Sequence, residues 1–212
     1  MPLVYSSEDY PKQRLVDWDL FSVPQINAGN RRIHYAGGKM LGGYSALNGL
    51  SYYRATFGTY QMWAELVGGK SFTFENLLPY YKKSCHLTPP DIEKRNSTNA
   101  TVVYDATGFD NSIGGSLRVS WNNRLGPMIE ALAQAVQSIG LPVSTDGFSS
   151  GSLLGHGTWV PSTIEAKHAV RSSSQSSFLE EAIENTDIMV HAHTQALKIL
   201  FDSDSPKRAN AV

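Results

Sequence analysis

The sequence predicts a mixed α/β (α+β) fold. Three patterns indicate it: apolar residues at helical spacing after Pro127, two apolar strand-like runs within residues 188–201, and a glycine-rich turn before a short helical segment at residues 45–50. Hydrophobic residues make up 41% of the 212-residue chain, which is enough for a buried core. No internal period of about 20–50 residues repeats, so a solenoid is excluded.

The first part of the chain is expected to be extended and then to turn. Residues 17–24 are aromatic and contain a proline without any helical period, which indicates an extended segment lying over another surface. Two glycine pairs follow within residues 37–43 and allow a tight backbone path. Because apolar side chains at helical spacing come next, residues 45–50 are expected to form a short helix.

The middle of the chain combines helices with a polar, loop-rich stretch. Residues 75–83 have an acid early and lysines late, the charge order that suits a helix dipole. Residues 88–116 are rich in proline, asparagine and glycine, which indicates irregular structure, and residues 116–120 are typical of a strand. The clearest helix begins near Pro127 and keeps one apolar face as far as Ile139, where a glycine and a proline end it.

The C-terminal part is expected to form another helix and then strands. Residues 176–184 have helical character, and the apolar runs at residues 188–193 and 197–201 are typical of strands. Few other segments resemble strands, and a strand needs hydrogen-bonding neighbours. We therefore expect these runs to belong to a sheet whose other members are missing from this sequence.

Composition and charge exclude several classes of protein. The chain has 18 Lys and Arg against 19 Asp and Glu, and the net charge of -1 gives no basic surface for a nucleic acid. Its one cysteine, Cys85, cannot form an internal disulfide or build a zinc site by itself. No apolar run approaches the roughly 20 residues of a membrane-spanning helix, and no secretory signal is visible. We expect no nucleic-acid or membrane partner and, by default, a cytoplasmic location.

The most specific pattern is a glycine-rich motif at residues 38–49, with the sequence Gly-Lys-Met-Leu-Gly-Gly-Tyr-Ser-Ala-Leu-Asn-Gly. Paired glycines allow a ligand to approach the backbone closely, and the helix start that follows presents unpaired N–H groups. Such groups suit a phosphate or the electron-rich edge of a ring. The motif therefore predicts a site for a flat, anionic cofactor.

At this motif, and at Tyr52, Arg54 and Gln61 beyond it, the chain resembles the flavin-dependent glucose-methanol-choline (GMC) oxidoreductases. The resemblance covers almost the whole chain. Further family features are found at Asp17-Trp18, at residues 63–66 and 75–83, and at Arg171-Ser172-Ser173. It implies a partial FAD-binding domain joined to part of the substrate-side region. It also implies a reaction in which an alcohol, a CH–OH donor, passes a hydride to the flavin.

The resemblance also implies which residues contact FAD. In the family the Asn-Gly stretch packs against the flavin ring, and this stretch corresponds here to Asn48, Gly49, Leu50 and Ser51. A backbone group near Ala196 is implied at the adenine end. Tyr44 stands where the family usually has a small residue, so a bulky ring is expected at the point of close backbone approach.

The resemblance divides the chain into three segments. Residues 1–87 correspond to the FAD domain with the glycine motif, residues 88–165 to a loop-rich excursion and substrate-side segment, and residues 166–212 to an incomplete return to FAD-domain strands. The family's G-x-G-x-x-G turn does not occur in this sequence, and none of its six histidines matches the family's catalytic histidine. We therefore expect no catalytic residue in this sequence. We expect the chain to be a piece of a larger enzyme that acts on a small-molecule alcohol, and to be inactive alone.

Two alternatives stay open. Residues 147–151 fit the G-x-S-x-G pattern of a serine hydrolase with Ser149 as nucleophile, although the flanking residues resemble a loop more than a strand–turn–helix elbow. Histidines follow in the order that a catalytic triad requires, at His156, His168, His191 and His193. The other alternative is a non-catalytic remnant that binds flavin weakly or not at all.

Overall fold

The computed structural model describes residues 15–95, 102–123, 127–142, 144, 146–152, 160–202 and 209–211. Spatial proximity divides the chain into two compact units, Met1–Glu181 and Ala182–Val212. Three short 3-10 helices lie at Ile26–Ala28, Lys70–Phe72 and Ala106–Gly108, and a π-helix lies at Gln175–Leu179. The other elements, in chain order, are β1 (Leu20–Phe21), β2 (His34–Tyr35), α1 (Tyr44–Leu47), α2 (Phe57–Leu66), α3 (Phe74–Ser84), β3 (Cys85–Leu87), α4 (Ile92–Arg95), β4 (Leu117–Val119), α5 (Pro127–Ser138), β5 (Ile164–Glu165), β6 (Val170–Arg171), α6 (Glu180–Asn185), β7 (Leu200–Phe201) and β8 (Ala209–Ala211).

The strands of the described residues pair in twos. β1 and β2 are antiparallel, as are β5 and β6 and also β7 and β8, whereas β3 and β4 are parallel. The expected mixture of helices and strands is confirmed. The extended segment predicted at residues 17–24 contains β1, which pairs with β2 immediately before the glycine motif. The Trp18 N–H donates to the Gly37 carbonyl at 2.8 Å, so this segment holds the motif from its N-terminal side.

Aromatic side chains join α2 to α3. The Thr56 hydroxyl caps α2 by accepting from the Thr59 N–H at 3.2 Å, which satisfies one of the unpaired donors of the first turn. Tyr60 on α2 is buried, and its ring lies 5.6 Å from that of Phe74 on α3. The hydroxyls of Tyr60 and Tyr81 are 2.6 Å apart. These rings bury apolar surface while their hydroxyls satisfy each other.

The hydrophobic core of the first unit surrounds the parallel pair of strands. It consists of Cys85, Leu87, Phe109, Val119 and Trp121. Cys85 and Val119 have no solvent exposure, and Trp121 packs against the ring of Tyr104 at 4.6 Å between centroids. β4 continues into a bridge between Ser120 and Ser162, and Ser162 also bridges to Ser51. The core is therefore linked directly to the end of the glycine motif.

Several predicted elements are confirmed. The helices expected at residues 45–50, 75–83, 127–139 and 176–184 and the strand expected at residues 116–120 are all found, with ends shifted by a few residues. The predicted end of α5 is found as well, because Gly140 has a φ of 89°, a left-handed conformation that stops the helix. None of the helices in the described residues has both the length and the apolar composition that a bilayer crossing requires.

The strand expected at residues 188–193 is wrong, and the one expected at 197–201 is reduced to β7. Residues 187–199 form neither helix nor strand, and residues 183–201 are exposed. An apolar run becomes a strand only when another strand takes its backbone hydrogen bonds. Within the described residues of this unit, β7 pairs with β8, and residues 188–193 have no such neighbour.

The division of the chain into three segments at residues 87 and 165 stays a prediction.

Candidate functional site

The glycine motif folds as a tight loop, a single helical turn and a bend. Gly42 and Gly43 have φ values of 89° and 49°, which only glycine adopts without strain, and they lead into α1. The Asn48 N–H closes α1 by donating to the Tyr44 carbonyl at 2.9 Å. The chain then leaves the helix with Asn48 in an extended conformation. We call residues 48–51 the Asn48 bend.

Leu50 holds the bend in a strained conformation. Its φ of 70° lies in the left-handed region, which is rare for a leucine and is usually found where surrounding structure enforces it. The enforcing contacts are present. The Leu50 N–H donates to Asn48 Oδ1 at 3.0 Å, its carbonyl accepts from the Thr163 N–H at 2.8 Å, and its side chain is buried. The backbone of the bend is thus fixed from inside the fold.

Arg171, on β6, also contacts the bend. Its Nη1 donates to Asn48 Oδ1 at 2.5 Å and to the Ser45 carbonyl at 3.2 Å, and its Nη2 donates to the Asn48 carbonyl at 2.8 Å. Burial lowers the pKa of Arg171, but a guanidinium stays charged under physiological conditions. One cation therefore holds three acceptors of α1 and of the bend.

The solvent side of the bend presents hydrogen-bond donors. Asn48, Gly49 and Ser51 are all exposed. The Asn48 Nδ2 amino group and the N–H groups of Gly49 and Ser51 have no acceptor among the residues that the structure describes. A Cβ placed on Gly49 would meet no atom within 4 Å, so open space lies above its backbone. These features fit the acceptor-rich edge of a flavin ring, which needs donors and close backbone approach.

The bulky ring of Tyr44 lies beside the glycine loop. Its ring packs edge-on against Tyr35 at 6.2 Å, and its hydroxyl lies 3.3 Å from the position that a Cβ on Gly37 would take. The Tyr44 ring is thus accommodated by the missing side chain of Gly37.

Arg54 was not predicted to be buried. Its side chain is only 2% exposed, and it donates to the carbonyls of Gly108 at 2.7 Å and Ser149 at 2.9 Å. Its guanidinium carbon lies 4.9 Å from the ring centroid of Phe109 and 5.1 Å from that of Tyr81. Within the described part of the chain no carboxylate pairs with Arg54, so carbonyl dipoles and ring faces stabilise its charge.

A pair of titratable side chains lies next to Arg54. The Tyr52 hydroxyl is 3.4 Å from Cys85 Sγ and accepts from Arg54 Nη2 at 3.5 Å. Burial raises the pKa of Tyr52, and the Arg54 cation partly opposes this rise. Cys85 is fully buried in the core and Tyr52 packs against it, so both side chains contribute to the packing of the first unit.

The serine-hydrolase interpretation of Ser149 is not supported. Residues 146–152 form turns and bends, without the strand and helix that a nucleophile elbow requires. The Ser149 side chain is buried, and its Oγ has no hydrogen-bond partner among the described residues. His156 lies outside the described residues, and His168 pairs with Glu165 at 2.9 Å. The serine contributes its carbonyl to Arg54, which makes it part of the scaffold.

Ala196 lies in the second unit, in an exposed segment. It lines a shallow cavity of about 450 Å³ together with His191, Thr194, Gln195, Leu197, Lys198 and Leu200. The structure therefore brings Asn48, Gly49, Leu50 and Ser51 together as one bend in the first unit, whereas Ala196 belongs to the second unit. The role of Ala196 at the adenine end stays a prediction.

No group of three metal-ligating side chains occurs in the described residues.

Comparisons with known proteins show which family the chain resembles. The family model described as GMC oxidoreductase matches residues 20–212. The chain is 42% identical over 205 residues to the glucose methanol choline oxidoreductase atC of Aspergillus terreus, covering 95% of this chain and 32% of that protein. It is 39% identical over 194 residues to the dehydrogenase pkfF of Emericella nidulans, covering 92% of this chain and 31% of that protein. It thus spans about a third of the length of these relatives.

A solved structure shares the fold. An FAD-dependent oxidoreductase from Chaetomium thermophilum superposes with a TM-score of 0.71 at 28% identity, covering 81% of this chain and 28% of that one. The family match covers far more than half of the chain and includes the glycine motif, the Asn48 bend and Arg171. From residue 20 onward, this chain belongs to the GMC oxidoreductase family.

Proposed function

We propose that this chain forms the flavin-facing wall of an oxidoreductase that oxidises an alcohol, with the Asn48 bend against the flavin. The cofactor is FAD. The observation that carries the proposal is the bend itself: exposed donors at Asn48, Gly49 and Ser51, with open space above Gly49. When bound, the flavin supplies the hydride-accepting chemistry. The residues of this chain bind and orient it.

The bend is suited to orienting a rigid ring because its own conformation is fixed. Leu50 is buried in a strained conformation, and Arg171 holds the Asn48 carbonyl and Oδ1. A preformed set of donors binds a ligand without the entropic cost of ordering a loop. Donors that do not move also keep the ring at a constant distance from a reacting partner, which hydride transfer requires.

An alcohol is the substrate class that the family favours. Glucose, methanol and choline, after which the relative from Aspergillus terreus is named, all carry a hydroxyl group. We infer that the intact protein acts on a CH–OH donor. The 212 residues alone are expected to give no turnover, because none of the histidines in this sequence matches the family's proton acceptor. An alcohol oxidation assay with added FAD and an artificial electron acceptor tests this expectation.

Titration of the chain with FAD tests the proposed site. Gly49→Ala and Gly49→Val add carbon atoms only into open space, and Gly49 has no positive φ, so the free protein should keep its unfolding midpoint. The same atoms would occupy the surface that the flavin contacts. We expect Gly49→Val to weaken FAD binding, measured by flavin fluorescence, at least about tenfold and Gly49→Ala to weaken it less.

Gly69 offers a matched control. It is exposed, has an extended φ of -159°, and a Cβ on it would likewise meet nothing within 4 Å. Gly69→Val should bind FAD as the unaltered chain does. Equal FAD affinity for the unaltered chain, Gly49→Val and Gly69→Val would contradict the proposed site. Absence of FAD binding by the unaltered chain would favour the non-catalytic remnant instead.

A further inference from the structure

Arg171 is presented to the Asn48 bend by a short hairpin. β5 and β6 pair through Glu165 with Val170 and Ile164 with Arg171, and residues 166–169 form the turn between them. The Arg171 guanidinium reaches three acceptors that are 123 to 126 residues away in sequence. The hairpin therefore fixes the position of a side chain whose partners all belong to the glycine motif.

The three contacts occupy the acceptors of α1 and of the bend. The carbonyls of Ser45 and Asn48 are at the end of α1, where carbonyl groups lack helical partners and carry partial negative charge. Asn48 Oδ1 accepts from both Arg171 and the Leu50 N–H. With Oδ1 held by two donors, the amide group has one orientation, in which its Nδ2 amino group faces away from Arg171.

Among the residues that the structure describes, no carboxylate neutralises the charge of Arg171. No Asp or Glu of the described residues forms an ion pair with it. A cation with a planar fork of donors contacts the bend, and three donor groups of the bend have no acceptor among the described residues. Both features favour an electron-rich ligand and disfavour a cationic one.

We propose that Arg171 is a positioning residue that orients the Asn48 amide with its donor face outward and so makes the bend selective for the acceptor edge of the flavin. This inference rests on the proposed function. Without Arg171, the Asn48 amide would keep one partner, the Leu50 N–H, and could rotate to present its oxygen. An exposed oxygen would repel the acceptors of the ring, so FAD affinity would fall although Arg171 itself does not contact the ligand.

A double-mutant cycle tests the proposal. Arg171→Met and Asn48→Ala, alone and together, are titrated with FAD. Arg171→Met should raise the dissociation constant for FAD about tenfold, the loss expected when Asn48 no longer presents a hydrogen-bond donor to the flavin. Because Arg171 acts through Asn48, the double variant should bind within about twofold of the weaker single variant. Arg171→Lys keeps the charge without the fork and should give an intermediate value.

A measurement on the free protein separates positioning from loss of fold. The NMR signals of the Asn48 side-chain amide and of the Gly49 N–H should shift in Arg171→Met and Arg171→Lys, whereas signals from the β3–β4 core should stay in place. Arg118 is an exposed arginine on β4, and Arg118→Met is the matched control for lost charge. It should bind FAD as the unaltered chain does.

The FAD titrations distinguish the role of Arg171 from the existence of the flavin site. Additive effects of Arg171→Met and Asn48→Ala, or FAD binding by Arg171→Met that equals that of the unaltered chain, would overturn the proposed role of Arg171 while leaving the flavin site intact. An unaltered chain that binds no FAD would overturn the proposed function and this inference with it. Tenfold weaker binding with a non-additive cycle would support both.

Discussion

Gly38 and Gly49 belong to one motif but meet opposite surroundings. A Cβ on Gly38 would lie 2.3 Å from the Gly43 carbonyl oxygen, a distance that backbone atoms cannot tolerate. A Cβ on Gly49 would meet nothing within 4 Å. Gly38 is therefore required by the fold of the loop, whereas nothing in the described fold requires Gly49. The proposed contact with the flavin would account for the absence of a side chain at Gly49.

Substituting these glycines should separate stability from binding. Gly38→Ala should lower the free energy of unfolding by about 3 kcal/mol, because the loop has to move to relieve the clash. Gly49→Ala should change it by less than about 0.5 kcal/mol. Urea denaturation followed by tryptophan fluorescence measures both values. Equal destabilisation by the two substitutions would mean that the bend is enclosed by the protein itself.

Arg54 stabilises the first unit through two backbone carbonyls. Replacing it with leucine would leave the carbonyls of Gly108 and Ser149 without a donor inside the fold. Losing two charge-assisted hydrogen bonds outweighs the relief of removing a buried charge, so Arg54→Leu should lower the free energy of unfolding by about 3 kcal/mol. Arg54→Lys should also be destabilising, since lysine lacks the planar fork. Unchanged urea midpoints in both variants would contradict this role and show that the rings of Tyr81 and Phe109 hold the region without the guanidinium.

The sequence predicted the cofactor motif but not the contacts that its fold creates. Glycine pairs followed by Asn-Gly are a local pattern, and the family resemblance assigned Asn48, Gly49, Leu50 and Ser51 from it. Arg54 and Arg171 were recognised only as family features, because most of their partners are backbone carbonyls, which every residue carries. Their partners are also distant in sequence, such as Ser149, which is 95 residues from Arg54. Only the fold reveals these contacts.

At the scale of elements, the hairpin that carries Arg171 depends on one carboxylate. Glu165 accepts from the N–H groups of Lys167 at 2.9 Å and His168 at 2.8 Å, which holds the turn of residues 166–169. Ala169 in this turn has a φ of 56°, an unfavourable conformation for alanine. The hydrogen bonds from the His168 and Lys167 backbone lower the pKa of Glu165 below its ordinary value of 4.5.

The lowered pKa predicts the pH dependence of this hairpin. A depressed folded-state pKa means that the folded protein binds fewer protons, so the stabilisation is complete above pH 4.5 and is lost as the pH falls through the folded value. Glu165→Gln should therefore lower the thermal unfolding midpoint near neutral pH, and its difference from the unaltered chain should shrink as the pH falls below 4.5. A difference that stays constant from neutral to acidic pH would contradict this origin.

Helices were predicted better than strands, for a physical reason. A helix satisfies its backbone within one segment, so the amphipathic pattern of α5 and the charge order of α3 were sufficient to locate them. A strand depends on a neighbour elsewhere in the chain. β4 has β3 beside it and was found where expected, whereas residues 188–193 have strand composition but no ladder in the described residues.

At the scale of the whole molecule, the two units differ in how much they bury. The first unit encloses the core around β3 and β4, whereas residues 183–201 of the second are exposed. Residues that bury little surface open locally at low cost in free energy. The second unit should therefore be the more susceptible of the two to proteolysis.

Limited proteolysis checks this difference. A nonspecific protease at low concentration should cleave within residues 187–199 before it cleaves within α2 or α3, and mass spectrometry of the fragments identifies the positions. Addition of FAD should slow the cleavage if Ala196 contacts the adenine end as the resemblance implies. Early cleavage inside α2 or α3 would contradict the assignment of the stable region.

If the Asn48 bend receives the flavin, NMR of the isotope-labelled chain titrated with FAD will show it at the residues concerned. We expect the N–H signals of Gly49 and Ser51 and the side-chain amide of Asn48 to shift in proportion to bound FAD, while signals from the β3–β4 core do not. Shifts confined to other parts of the chain, or none at any FAD concentration, would contradict it.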